Sequence, residues 1–138
     1  MKRILYAIVG LVILAGCIPN GTCEPIGLSP ERVDLSWESQ SFDVTANVSI
    51  AYIDIRVYEG FSYKMFRYST YRYVKEDPSS FILDAEWVHW RYDAESDKTT
   101  VFVDKYLSGQ TRYAWVIVHD IATSYYGLMD IYQAARVE

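Results

Sequence analysis

Between Val33 and Ile131 the apolar residues of this chain return at every second position in short runs. Val33 alternates with Leu35, Phe42 with Val44, Ala46 and Val48, and Ile53 with Ile55 and Val57. Further on come Val101 and Val103, then Ala114, Val116 and Val118, then Met129 and Ile131. In extended backbone successive side chains point to opposite faces, so each run describes a strand with one buried face. Clusters of Ser, Asn, Asp and Gly separate the runs, and only Gln133 to Arg136 reads as a weak helical turn. The pattern predicts an all-β sandwich of about seven or eight strands.

The first residues follow another rule. Lys2-Arg3 precede apolar runs over Ile4 to Val9 and Leu11 to Leu14, which end on Leu14-Ala15-Gly16-Cys17. A basic head, an apolar stretch and small residues make a secretory signal peptide. The run is about a dozen residues, short of the ~20 that cross a bilayer. Gly10, Gly16, Pro19 and Gly21 also interrupt it. Leu-Ala-Gly-Cys resembles the lipobox of bacterial lipoproteins. The resemblance implies a signal over residues 1–16, a diacylglycerol on Cys17, and a chain partnered with the membrane through that lipid. Ile18, where an acid would retain the protein in the inner membrane, implies an outer-membrane destination in the cell envelope. Two or three acyl chains hold where one would not, at ~0.8 kcal/mol for each buried methylene.

Residues 17–30 contain three Pro and two Gly without periodicity and read as a flexible tether, leaving residues 31–138 as the domain. Lipidation of Cys17 leaves Cys23 without an intramolecular partner; without it the two could pair. The chain carries 13 basic and 18 acidic residues, net −5. An acidic chain with no basic block excludes nucleic acid as a partner. His89 and His119 are the only histidines, and no hydrolase or phosphate-loop motif occurs. Asp93, Glu95 and Asp97 alternate in a turn-like segment but lack the Gly and further oxygens of a calcium loop. No catalytic residue, metal or cofactor is expected.

A second resemblance rests on longer stretches. Leu28-Ser29-Pro30-Glu31-Arg32-Val33-Asp34-Leu35, followed by Ser41-Phe42-Asp43-Val44-Thr45-Ala46-Asn47, resembles the opening strands of the BACON domain. Ala85-Glu86-Trp87-Val88 stands at that family's internal Trp. Thr100 to Val103, the turn Ser108-Gly109-Gln110, the Arg-led strand Thr111 to Val118 and the close Met129 to Ala134 complete it, over residues 28–135. Residues 50–84 are longer than the usual connection, and Asp93 to Asp97 replace a Gly-rich stretch. The resemblance implies an immunoglobulin-like sandwich from a Bacteroidetes envelope protein, a binder of carbohydrate or mucin-type glycan, or a spacer. A structural accessory subunit of an envelope complex, making protein contacts, is the alternative.

Aromatic content is high, with 13 Tyr, 5 Phe and 4 Trp. If Ala114, Val116 and Val118 face inward, Tyr113, Trp115 and Ile117 face outward. By the same alternation Phe102 and Tyr132 face outward, and these residues would gather on one sheet face. Two readings compete for it: a flat platform that stacks sugar rings, or an apolar surface covered by the aromatic insertion of residues 50–84. Covering resolves both anomalies and is favoured. Phe102, Tyr113, Trp115 and Tyr132, with Trp90 as a further exposed aromatic, are the candidate ligand-binding residues. Trp87 is expected in the core.

Overall fold

The computed structural model describes residues 26–47, 50–69, 80–120 and 126–137. The signal segment, Cys17 and Cys23 lie outside them. The described residues form ten strands and no helix: β1 Leu28–Ser29, β2 Arg32–Leu35, β3 Gln40–Ala46, β4 Ile50–Glu59, β5 Ser62–Ser69, β6 Phe81–Ala85, β7 Val88–Asp93, β8 Lys98–Val103, β9 Arg112–Asp120 and β10 Tyr126–Gln133. They make two five-stranded sheets, ordered β1-β3-β8-β7-β6 and β2-β10-β9-β4-β5. All pairs are antiparallel except β2 with β10.

The alternation sets which side chains fill the space between the sheets. Val44, Val101, Val103, Val88 and Trp90 come from one sheet; Ile53, Ile55, Val57, Ala114, Val116, Val118, Met129 and Ile131 come from the other. The all-β, two-layered expectation holds, and every inward residue of β8, β9 and β10 points as the period requires.

Four expectations are corrected. The strand count is ten among the described residues, not seven or eight, because the stretch 50–84 supplies β4, β5 and β6. Its described residues, 50–69 and 80–84, do not fold over a sheet face. Ala51, Ile53, Ile55 and Val57 need the core, so β4 pairs directly with β9 and carries β5 as a hairpin at its outer edge. Residues 26–30, expected in the tether, belong to the domain: Ile26 and Leu28 are buried in the core, and β1 pairs with β3. Finally, residues 134–137 hold no helix.

Ile26 enters beside Gly127, where an added Cβ would lie 2.8 Å from the Ile26 carbonyl oxygen. The absence of a side chain at Gly127 is what lets the entering segment pass. At the β6–β7 hairpin, Glu86 takes the left-handed conformation, φ 59°, in a two-residue turn that delivers Trp87 to the core.

Candidate binding face

The outer face of the β2-β10-β9-β4-β5 sheet is built by the residues opposite the core positions. Alternation places Tyr52, Asp54, Arg56 and Tyr58 outward on β4, and Tyr113, Trp115, Ile117 and His119 outward on β9. Cross-strand register aligns them in rows. Tyr132 pairs with Tyr113, and Tyr58 pairs with Tyr63. The ring centroids of Tyr132 and Tyr113 are 4.8 Å apart, those of Tyr113 and Tyr58 5.0 Å, and those of Tyr58 and Tyr63 5.4 Å. Four tyrosines from four strands therefore make one unbroken row.

The next row runs Arg32, Asp130, Trp115, Arg56 and Met65, by the same pairing. The Tyr113 hydroxyl donates to Asp130 Oδ1. Burial, reinforced by that carboxylate, pushes the Tyr113 phenol above its ordinary range, so it stays a neutral donor. The Arg32 guanidinium lies 4.4 Å from the Tyr132 centroid, while its Nε and Nη2 each donate to Asp34 at 2.9 Å. Arg56 stands between Tyr63 and Trp115, 5.0 and 5.1 Å from their centroids.

A third row holds Leu128, Ile117, Asp54 and Arg67. Asp54 is 2% exposed and accepts from Arg67 Nε at 2.5 Å and Nη2 at 2.8 Å. The Arg67 bonds hold its carboxyl below the usual carboxylate range against the opposing effect of burial. His119 stacks on Tyr52 at 4.3 Å and approaches Asp54 Oδ2 at 3.6 Å.

The candidates separate on this map. Tyr113, Trp115 and Tyr132 share the face, as expected. Phe102 does not: it is 39% exposed on the opposite sheet, because β8 pairs with β3 and β7. Trp90 is 1% exposed and is a core residue, since its place on β7 faces Leu83 and Val101 across the strands and points inward with them. Ile117 faces outward but is only 7% exposed, packed between Leu128 and Asp54. The flat platform is also replaced by a stepped one. Tyr113 and Tyr132 are half-buried with ring planes 30° apart, and the other pairs of the row are tilted by 38° and 43°.

Tyr58 and Tyr63, expected in a cover, are part of the face, and so are Arg32 and Arg56. The signal was present in β4, where Tyr52, Asp54, Arg56 and Tyr58 alternate with Ala51, Ile53, Ile55 and Val57. The acidic turn makes a different use of its carboxylates: Asp93 accepts from Ser96 Oγ at 2.9 Å and the Glu95 amide at 3.1 Å, and Asp97 from the Tyr92 hydroxyl at 3.0 Å.

No family model and no curated protein matches the sequence. Among solved structures, the chain is similar to a protein from Bacteroides thetaiotaomicron determined by NMR, with a TM-score of 0.57 and 16% identity over 88% of this chain and 96% of that one. At that identity the likeness is one of fold.

Proposed function

We propose that this chain is a non-catalytic binding module of a Bacteroidetes-type cell envelope, held at the outer membrane by lipid on Cys17, which takes glycan on its tyrosine row. The carrying observation is the row itself: Tyr132, Tyr113, Tyr58 and Tyr63 cross four strands, and none of them is fully buried. Tyr combines a flat apolar ring with a hydroxyl, which suits a ligand that has apolar ring faces and polar edges. The hairpin that could have covered the row lengthens it instead.

Position supports the same reading. Ile26, the first described residue, lies against Gly127 and beside Val118, whereas the row crosses β9 at Tyr113. Five residues of extended strand separate Val118 from Tyr113, roughly 17 Å at ~3.4 Å each. A tether leading into Ile26 would hold the row at the far end from the membrane. The BACON-like, immunoglobulin-like reading gains support from Trp87, Arg112 and Gln133, which carry that resemblance and meet in one cluster.

A glycan array probed with the soluble fragment from Glu24 onward tests the ligand class. Wild type should bind a subset of glycans, and Tyr113→Ala with Tyr58→Ala should lose them at least tenfold; no binding across the array would end the carbohydrate reading. For the anchor, Cys17→Ala should move the protein out of the membrane fraction, and retention there would refute lipidation.

A protein contact, as in an accessory subunit, is the second reading. It is favoured by Phe61 at the β4–β5 turn, fully exposed beside exposed Tyr63 and Met65, since aromatic residues, Met and Arg are enriched at protein interfaces. Phe61→Ser would then abolish co-purification of an envelope protein and leave glycan binding intact.

A further inference from the structure

The three arginines of this face are not equivalent. Arg32 is neutralised by Asp34 and Arg67 by Asp54, each through two hydrogen bonds. Arg56 lies between them and, among the described residues, makes no hydrogen bond and no ion pair. Its Nε is buried without a partner, while Tyr63 and Trp115 flank the guanidinium. Aromatic rings hold a guanidinium in place but do not satisfy its N–H groups, and an unpaired buried donor is costly. Arg56 as a residue is half-buried, so its side chain is reachable from the outer face of the sheet. Asp54, two residues away on β4, feels the Arg56 charge, but both of its carboxylate oxygens bond Arg67, so the Arg56 fork has no carboxylate of its own. A planar guanidinium held between two rings matches a carboxylate, which it can take through two parallel bonds.

We propose that Arg56 is the anion-recognising residue of this face, and that the glycan bound there carries a sugar carboxylate, as uronic and sialic acids do. The inference rests on the carbohydrate reading of the tyrosine row, which lies one row away: Tyr58 follows Arg56 by two residues on β4, and Tyr113 precedes Trp115 by two on β9. A single acidic sugar fits better than a polyanion. The chain is net −5, and the face itself carries Asp34, Asp54 and Asp130, so a densely charged polymer would be repelled, while one carboxylate meets the arginine of this face that, among the described residues, forms no hydrogen bond or ion pair.

The test is titration calorimetry with matched pairs on the fragment from Glu24 onward: sialyllactose against lactose, and a glucuronate-terminated disaccharide against its carboxyl-reduced form. Wild type should bind one acidic member at least about tenfold tighter than its neutral counterpart. Arg56→Gln should erase that difference in a variant that still unfolds cooperatively. Arg56→Lys, which keeps the charge without the fork, should lose most of the preference.

Equal binding of acidic and neutral members by wild type, or a preference that survives Arg56→Gln, overturns the role of Arg56 and leaves the glycan face standing. If no glycan binds, acidic or neutral, on array or in solution, the carbohydrate reading falls and this inference falls with it. An acidic protein captured through Arg56 in its place would identify the other source of the carboxylate.

Discussion

Arg112 and Gln133, the first residue of β9 and the last of β10, are tied by an Arg112 Nε to Gln133 Oε1 hydrogen bond of 2.7 Å. The pair reaches beyond its own strands. Gln133 Nε2 donates to the carbonyls of Glu38, at 3.1 Å, and Asp104, at 2.9 Å, and Arg112 Nη2 donates to the same Asp104 carbonyl at 2.6 Å. Asp104 follows β8 of the opposite sheet, so the two side chains latch one end of the sandwich. Trp87 and Tyr106 lie against the guanidinium at 4.2 and 4.1 Å.

Gln133 is 0% exposed, so its replacement leaves buried groups without partners. Gln133→Leu is expected to cost about 3 kcal/mol of folding free energy, from the Arg112 Nε–H and the Glu38 carbonyl that lose this partner, while the Asp104 carbonyl keeps Arg112 Nη2. Urea unfolding of the variant checks this. A loss within ~0.5 kcal/mol would mean that the latch is not a determinant of stability.

The Asp54–Arg67 pair is asymmetric, with Asp54 buried and Arg67 more than half exposed. Arg67→Ala should cost about 2 kcal/mol, less than the 3–5 kcal/mol of a fully buried pair because solvent screens the guanidinium. The double variant with Asp54→Ala should be less destabilised than the sum of the singles, as a double-mutant cycle would show. The pH dependence follows from the lowered Asp54 pKa. Its contribution is complete above the ordinary carboxylate value, near 4, and is lost as pH falls through the lower folded value.

His89 provides the opposite sign. Burial opposes its charging, but hydrogen bonds to Asp84, at 2.8 Å, and Asp104, at 3.1 Å, outweigh this and raise its pKa. The added stability is complete below about 6.5 and lost as pH rises through the higher folded value. Since both carboxylates are largely exposed, the effect on stability is a few tenths of a kcal/mol. An NMR titration should place the His89 midpoint above 6.5, and Asp104→Asn should lower it.

The entering segment is testable at Gly127. Gly127→Ala would bring a methyl to 2.8 Å from the Ile26 carbonyl, so it should destabilise by about 1–3 kcal/mol. Leu28→Ala should cost about 2–4 kcal/mol, as for a core leucine. Were residues 26–30 a loose tether, neither substitution would move the midpoint of thermal unfolding.

How much of this was legible in the sequence depends on which kind of contact decides. Period two assigned the inward residues of β8, β9 and β10 correctly, because burial of a strand face is a local property of its own residues. Which strands share a sheet is a property of the whole topology, and there the reading failed: Phe102 and Tyr113 both point outward, on opposite sheets. Trp90 shows the same limit, since an aromatic residue after His89 reads equally as surface or core until β7 is placed between β6 and β8. The aromatic excess of residues 50–69 is visible in the sequence and suggests a cover. Ala51, Ile53, Ile55 and Val57 took β4 into the sheet beside β9, which turned its tyrosines into part of the surface.

The most direct measurement is chemical-shift mapping of the isotope-labelled fragment from Glu24 onward, titrated with the tightest glycan of the array. Shifts are expected to be confined to the outer face of β2, β10, β9, β4 and β5, including the Trp115 indole N–H and the resonances of Arg56, Tyr58, Tyr63, Tyr113 and Tyr132, with His89 and Phe102 unmoved. Shifts gathered on the β1-β3-β8-β7-β6 face, or none at saturating glycan, would contradict it.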